Sequence, residues 1–161
     1  MEMEIMKRLK MAILHLEIKN GFKDSTWVGK DKKLKITYTE NYNNGDFISG
    51  VSIDSNKEGH KYTVSEIRPI PKKGMDNFNR HIARTFNTPK VEGFKGKIYV
   101  TFVVETDGSI TDVRVLRDIG YGSGAEAIRA VSLYKGWIPG EQRGIKVRCK
   151  FSLPIAVQST R

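Results

Sequence analysis

Residues that could do chemistry are scattered through this 161-residue chain and form no obvious set. The three histidines, His15, His60 and His81, fall in separate predicted elements, whereas a metal site needs convergent ligands. Ser109 and Ser123 have no histidine–aspartate pair nearby in sequence that would activate a hydroxyl. We therefore expect no catalytic residues, no metal site and no cofactor, and a binding protein rather than an enzyme.

A glycine-rich loop, Gly120-x-Gly122-x-Gly124, is a candidate phosphate cradle. It has neither the spacing of a dinucleotide fingerprint nor the lysine of a P-loop. Ser123 and Glu126 stand at the spacing of a capping box, in which two side chains satisfy the first backbone N–H groups of a helix. The loop is therefore interpreted as a turn that leads into a helix.

A basic stripe, Lys146, Arg148 and Lys150, could follow a phosphate backbone. It could equally be the solvated side of a strand, where lysine also discourages aggregation. The net charge of +10 does not decide between them, because it is spread evenly. Residues 1–89 hold 16 basic against 11 acidic residues, and residues 90–161 hold 12 against 7, so each part carries +5. No nucleic-acid-binding arm is indicated.

The first 25 residues are interpreted as a helical extension. Met6, Leu9, Ile13 and Leu16 fit one face of a short amphipathic helix. The apolar stretch is too short for a membrane span of about 20 residues and lacks the features of a signal peptide. Cys149 is the single cysteine, and we expect it to be a small core residue.

Residues 26–66 predict a small meander of about three β-strands. Leu34, Ile36 and Tyr38 alternate with polar residues, as in a half-buried strand. Asn44-Gly45 is a strong hairpin signal. A second turn is expected at residues 56–59. Two prolines, Pro69 and Pro71, then mark a junction, so residues 67–161 are expected to form a separate domain.

That domain predicts an α+β fold, with a three-stranded antiparallel sheet and two helices on one face. Apolar residues at helical spacing run from Met75 to Phe86. Strands follow at residues 97–105 and 110–117, joined by a two-residue type I′ turn at Asp107-Gly108. The second helix and a last strand complete the order helix, strand, strand, helix, strand.

The last strand has the clearest alternation in the chain. Its apolar residues are expected to face the helices and its polar residues to face solvent. Pro154 has no N–H, so we expect regular pairing through its nitrogen to stop there. The strand comprises Ile145, Lys146, Val147, Arg148, Cys149, Lys150, Phe151, Ser152 and Leu153.

Taken together, these elements resemble the C-terminal domain of TonB, the bacterial energy transducer, as a divergent member. Order and spacing carry the resemblance, since no single piece is specific. The matching segments are 75–78 (MDNF), 96–104 (GKIYVTFVV), 107–113 (DGSITDV), Gly120, Gly122, 126–129 (EAIR), 137–140 (WIPG), Gly144, Val147, Arg148 and 151–154 (FSLP). Tyr42, Gly45, Gly50 and Gly59 also resemble one degenerate MORN-type hairpin.

The resemblance implies a periplasmic module for energy-dependent transport. Such domains bind the TonB box, a short extended segment of an outer-membrane receptor, as an added strand. It therefore implies that residues 145–153 bind the partner through backbone groups, with Arg148 and Lys150 attracting an acidic or polar box. Family members are anchored in the inner membrane, where the ExbB/ExbD motor proteins would be partners.

The chain departs from the family in three places. Thr88-Pro89 stands where a Tyr-Pro is common, and Gly124 where an acidic residue is common. No anchor or proline-rich spacer is visible, so we expect a fragment or a stand-alone relative. Two other functions stay open: a basic nucleic-acid-binding module, and a homodimer in which two last strands pair.

Overall fold

The computed structural model describes residues 17–159, which divide into two units. The first unit extends through Ile67 and takes in Glu141–Ile145 from much later in the chain. The second unit comprises Arg68–Gly140 and the chain from Lys146 onward. The predicted N-terminal helix falls mostly on residues 1–16, which lie outside the described residues.

The first unit is built on an antiparallel sheet of five strands that neighbour one another in chain order. The sequence predicted about three strands over residues 26–66, and a hairpin turn at Asn20-Gly21 adds the first two strands ahead of them. Asn20 and Gly21 have φ of 53° and 83°, which is the backbone of a two-residue hairpin turn. The strands are β1 (Glu17–Lys19), β2 (Phe22–Asp31), β3 (Ile36–Asn43), β4 (Asp46–Ile53) and β5 (Gly59–Tyr62).

The predicted Asn-Gly turn joins β3 to β4. Asn44 and Gly45 have φ of 49° and 93°, so both central residues adopt the positive φ that a type I′ turn requires. This prediction is confirmed. A short strand β6 (Glu66–Ile67) ends this part of the unit.

The second unit has the predicted order of helices and strands. Its main sheet is antiparallel and has the order β13 (Cys149–Gln158), β8 (Lys95–Val104), β9 (Ile110–Arg117). The α+β prediction is therefore confirmed. Its other elements are the helices α1 (Gly74–Thr85) and α2 (Ser123–Ser132) and the short strands β7 (Ile70–Pro71) and β10 (Trp137–Ile138). The strand β11 (Gly140–Gln142) falls mostly on the Glu141–Ile145 segment of the first unit, and β12 (Ile145–Val147) begins at the last residue of that segment.

Both helices pack on one face of this sheet. Alternate residues of β8 are completely buried, as period-two geometry requires. Phe78 and Ile82 from α1, with Ala127 and Val131 from α2, meet them in one cluster. Trp137 is 1% exposed and contacts four other aromatic rings of this cluster, so it is a packing anchor. Its indole Nε1 has no hydrogen-bond acceptor among residues 17–159.

The turn between β8 and β9 has three residues, so the predicted two-residue type I′ turn is wrong. The Glu105 N–H donates to the Ser109 carbonyl at 2.9 Å, and the Gly108 N–H donates to the Glu105 carbonyl at 2.9 Å. Within this turn only Gly108 has a positive φ, of 82°. A three-residue loop needs one such residue, whereas type I′ needs two.

The second helix begins at Ser123 as predicted, but the capping box is wrong. Gly122 is the N-cap residue, and no side chain caps the helix there. The Ser123 hydroxyl instead donates to Asp118 Oδ1 at 2.7 Å, which holds the pKa of the Asp118 carboxyl below its usual value. Glu126 accepts from Arg129 and from the backbone of Asn87. The glycine loop is therefore organised by Asp118.

Candidate functional site

The strand β13 forms one edge of the sheet, and this edge is the leading candidate site. It pairs with β8 without interruption from Cys149 opposite Val104 to Gln158 opposite Lys95. In the described part of the chain, no strand pairs with its other side. An unpaired edge presents a row of backbone N–H and C=O groups to solvent.

Which backbone groups face solvent follows from one hydrogen bond. The Ser159 N–H donates to the Phe94 carbonyl at 2.8 Å, and this pair continues the register of β13 and β8. Backbone groups point alternately toward the neighbouring strand and away from it along an antiparallel strand. Odd-numbered residues of β13 therefore bond to β8. The backbone groups of the even-numbered residues face the free edge: Lys150, Ser152, Pro154, Ala156 and Gln158.

Pro154 lies inside this strand, opposite Tyr99, so the strand continues beyond Leu153, its predicted end. Its nitrogen, which cannot donate, belongs to the outward set, so no bond to β8 is lost. Proline is tolerated in sheets at such edge positions. The alternation of Ile155 and Val157 beyond the proline was the sequence signal for the longer strand.

The predicted binding strand, residues 145–153, is divided in the structure. Ile145–Val147 forms β12, in a sheet with β11 and β6, and Arg148 lies in the break. Only Cys149, Lys150, Phe151, Ser152 and Leu153 belong to the edge strand, and Cys149 is half-buried. Sequence reasoning missed the second half of the edge, which includes Ala156 and Gln158.

Arg148 forms an ion pair within the same unit. Its Nε and Nη2 donate to the two carboxylate oxygens of Glu105 at 2.7 and 2.9 Å. The Arg148 guanidinium, with the Thr111 hydroxyl, lowers the pKa of the Glu105 carboxyl. The positive charge of Arg148 is thus already neutralised by a bidentate partner. Lys150 has no such ion pair among residues 17–159.

A groove of about 420 Å³ runs along the free edge, between α1 and β13. Its helix side is formed by Asn79, Ile82, Ala83, Phe86 and Thr88. Its strand side is formed by residues 153–158. The even-numbered residues among them line the groove although their side chains lie on the opposite face of the sheet. The groove therefore reaches the outward-facing backbone of β13.

The face of the sheet opposite the helices is basic. Lys150, Lys97 and Lys95 are exposed and share this face, with Tyr99 between them. Arg114 on the same face pairs with Asp112 at 2.7 Å. None of the three lysines has an ion-pair partner in the described residues.

A second polar cluster is buried in the first unit, around Glu40. This carboxylate is 1% exposed and accepts from Arg143 Nε at 2.8 Å. The hydroxyls of Tyr42 and Tyr62 donate to it at 2.9 and 3.0 Å. The Arg143 guanidinium also lies 3.9 Å above the ring centre of Tyr38. A buried carboxylate with three donors is satisfied, so this cluster holds the residues around Arg143 in place.

This cluster changes the ionisation of its members. Burial, then the hydrogen bond to Glu40 and its negative charge, raises the pKa of Tyr42 to about 12. The same causes raise the pKa of Tyr62. Burial opposes the charge on Arg143, but the hydrogen bond and attraction to Glu40 leave the pKa of Arg143 raised. At neutral pH both tyrosines therefore keep their hydroxyl protons and Arg143 keeps its charge.

Three potential metal ligands, Asp54, Glu58 and His60, lie within 4.8 Å of one another in the first unit. Asp54 already accepts from the backbone N–H groups of Asn56 and Glu58, at 2.8 and 3.0 Å. Its other carboxylate oxygen lies 3.2 Å from His60 Nε2, and this contact lowers the pKa of Asp54. These three residues therefore belong to a turn that is held together by hydrogen bonds to its own side chains.

The remaining candidate residues do not come together into a reactive set. His81 Nε2 lies 3.0 Å from the Ala130 carbonyl and its ring packs on Tyr134. Ser109 lies in the β8–β9 turn, where its N–H donates to Asp107. His15 lies outside the described residues.

The site is thus an open sheet edge of a small α+β domain, the kind of edge to which an extended peptide can add as a strand. Residues 90–156 match the family described as the Gram-negative bacterial TonB protein C-terminal, so this region is similar to TonB C-terminal domains. That family comprises periplasmic, transport-associated domains of TonB-type energy transducers, which interact with outer-membrane receptors.

One solved structure is similar to part of the chain. It is the NMR solution structure of the Helicobacter pylori TonB C-terminal domain, residues 179–285. The two are 20% identical over 54% of this chain and 81% of that one, with a TM-score of 0.40. No curated protein matches the chain. Among residues 17–159, no helix is both long and apolar enough to span a membrane.

Proposed function

We propose that the free edge of β13 binds the TonB box of an outer-membrane receptor by strand addition, as part of a periplasmic energy transducer. The observation that carries the proposal is the row of outward backbone groups along β13, which no described strand occupies. An extended peptide satisfies such groups with its own backbone. The proposed contact is with residues 149–158, which replaces the sequence-based expectation of 145–153.

The expected affinity follows from the number of donors at the edge. Lys150, Ser152, Ala156 and Gln158 each offer an outward N–H, and Pro154 offers only its carbonyl. Each ladder hydrogen bond contributes about 1 kcal/mol net. Part of this gain is offset by the cost of ordering a flexible peptide. Including side-chain contacts, the complex should be weak and reversible, with a Kd of roughly micromolar order.

Pairing of two copies through the same edge is the second candidate function. The observation that favours it is the length of the edge, since the unbroken register covers ten residues of β13. Natural proteins usually protect such edges. The two functions compete for the same backbone groups, so a receptor peptide should dissociate a dimer that forms in this way.

The test is a titration of the ¹⁵N-labelled chain with TonB-box peptides, followed by amide chemical shifts and by sedimentation. We expect the largest shifts along residues 149–158, with saturation. Shifts spread over the basic face only, and produced by oligonucleotides rather than peptides, would instead support nucleic-acid binding. Saturating peptide with no shift in β13 would refute strand addition.

A further inference from the structure

The two sides of the β13 edge differ in chemistry, which constrains the bound segment. Resting on the strand addition proposed above, we propose that this segment alternates apolar and acidic side chains. Its apolar side chains lie in the groove beside α1, and its acidic side chains lie beside the lysines of the opposite face. Successive side chains of an added strand point to opposite faces, so both requirements fall on one short peptide.

The groove side is apolar at its base. Ile82 of α1 and Phe86, which directly follows α1, are 7% and 9% exposed, and Leu153 and Ile155 of β13 are 8% and 4% exposed. Ala83 is exposed and also lines the groove, and its small side chain leaves room above this base. The lining also includes the polar residues Asn79 and Thr88. Apolar side chains that reach the base of the groove lose water contact against its apolar residues, which is favourable.

The other side of the edge is basic. Lys150 lies directly on the edge strand, and Lys97 lies on β8 opposite Ala156. Because Ala156 is small, it does not separate the long Lys97 side chain from an added strand. Neither lysine has a carboxylate partner in the described residues. Opposite charges on neighbouring strands attract, so carboxylates on this side of the peptide complete the pairing.

Four capped eight-residue peptides separate these requirements. One alternates Val and Glu, a second alternates Val and Ser, and a third alternates Val and Lys. The fourth has the composition of the first, but with four Val followed by four Glu. A peptide with the opposite alternation would be no control, because a shift of one residue along β13 returns its apolar side chains to the groove. Only the blocked sequence therefore tests alternation itself.

We expect the Val/Glu peptide to bind roughly three- to tenfold more tightly than the Val/Ser peptide, with an advantage that falls as salt is added. The Val/Lys peptide and the blocked peptide should bind more weakly than Val/Ser. Binding of Val/Ser at β13 without any advantage for Val/Glu would overturn this inference and leave strand addition standing. If no peptide shifts the amides of β13, strand addition itself fails.

Two protein variants locate the two sides. Replacing both lysines, Lys97→Gln with Lys150→Gln, should remove the Val/Glu advantage and leave Val/Ser binding unchanged. Ala83→Gln should fill the groove and weaken both peptides several-fold. Ala125→Gln makes the same change at an exposed site on α2, away from the groove, and should leave both affinities unchanged. If Ala83→Gln and Ala125→Gln change the peptide affinities equally, the groove is not used.

Discussion

The backbone N–H of Ser159 donates to the carbonyl of Phe94 at 2.8 Å, and this bond fixes the direction of every backbone group in β13. It places the odd-numbered residues against β8 and the even-numbered residues at the free edge. Pro154 falls in the outward set, which explains how a proline occupies the middle of a ten-residue strand.

Pro154 interrupts the row of outward donors, so Pro154→Ala should strengthen peptide binding. The new alanine supplies an N–H where the edge now has none. One additional ladder hydrogen bond of about 1 kcal/mol corresponds to roughly fivefold tighter binding. Isothermal titration with the same receptor peptide measures the change. A weaker or unchanged Kd for a folded variant would contradict the assigned orientation.

Lys150→Pro is the complementary change, because it removes an outward donor. We expect at least a several-fold loss of affinity, with the fold retained, since the bonds to β8 are made by the odd-numbered residues. Lys150→Ala keeps the N–H and removes only the charge, so it is the matched control. Equal losses in both variants would show that the side chain, and not the backbone, determines binding at this position.

Glu40→Gln should destabilise the first unit. The amide leaves Arg143 without its buried counter-charge, and breaking a buried ion pair costs about 3–5 kcal/mol. We expect the lower part of that range, because the Arg143 side chain is 22% exposed and retains some water. Urea unfolding followed by the amide signals of β3 and β4 measures the loss. Glu66→Gln makes the same change on an exposed side chain, and a similar loss there would refute the assignment.

The stability of the first unit should fall as the pH rises from about 10 to about 12. The pKa of Tyr42 is raised from 10.0 to about 12, because of burial and its bond to Glu40. The folded chain therefore keeps a proton that the unfolded chain releases. This contribution is complete below pH 10 and is lost as the pH approaches 12. Tyr42→Phe should flatten the decline, as measured by urea unfolding at several alkaline pH values. An identical pH profile in the variant would exclude Tyr42 as its source.

Gly108→Ala should destabilise the second unit more than Gly120→Ala. Both glycines have a positive φ, of 82° and 89°, and alanine in that conformation costs about 1–2 kcal/mol. A Cβ on Gly108 would also lie 2.3 Å from the Trp137 carbonyl oxygen, whereas Gly120 has open space. Crowding of this kind adds about 1–3 kcal/mol. Equal midpoints for the two variants in thermal unfolding would show that the turn moves freely away from Trp137.

The sequence predicted the second unit well, because its elements have strong local patterns. Phe78 and Ile82 recur at helical spacing, and Ile98 to Val104 alternate, so burial follows from periodicity. The extent of the edge strand could not be predicted in the same way. Pro154 would break the strand only if its nitrogen faced the neighbouring strand. Which side of residue 154 has that neighbour follows from the sheet order, which the local sequence does not show.

The buried cluster of the first unit was also beyond sequence reasoning. Glutamate is ordinarily a surface residue, so Glu40 gave no sign of burial. Its partner Arg143 lies 103 positions later in the chain, and no local pattern connects the two. The Asn20-Gly21 turn differs from this case, because Asn-Gly is a hairpin signal that the local sequence itself carries.

Hydrogen exchange of the β13 amides, with and without a receptor peptide, tests the central claim most directly. In the free chain we expect slow exchange at residues 151, 153, 155 and 157, and fast exchange at residues 150, 152, 156 and 158. Saturating peptide should slow the second group selectively, because the peptide backbone then accepts those hydrogen bonds. Fast exchange that persists at the even-numbered amides under saturation would contradict strand addition at this edge.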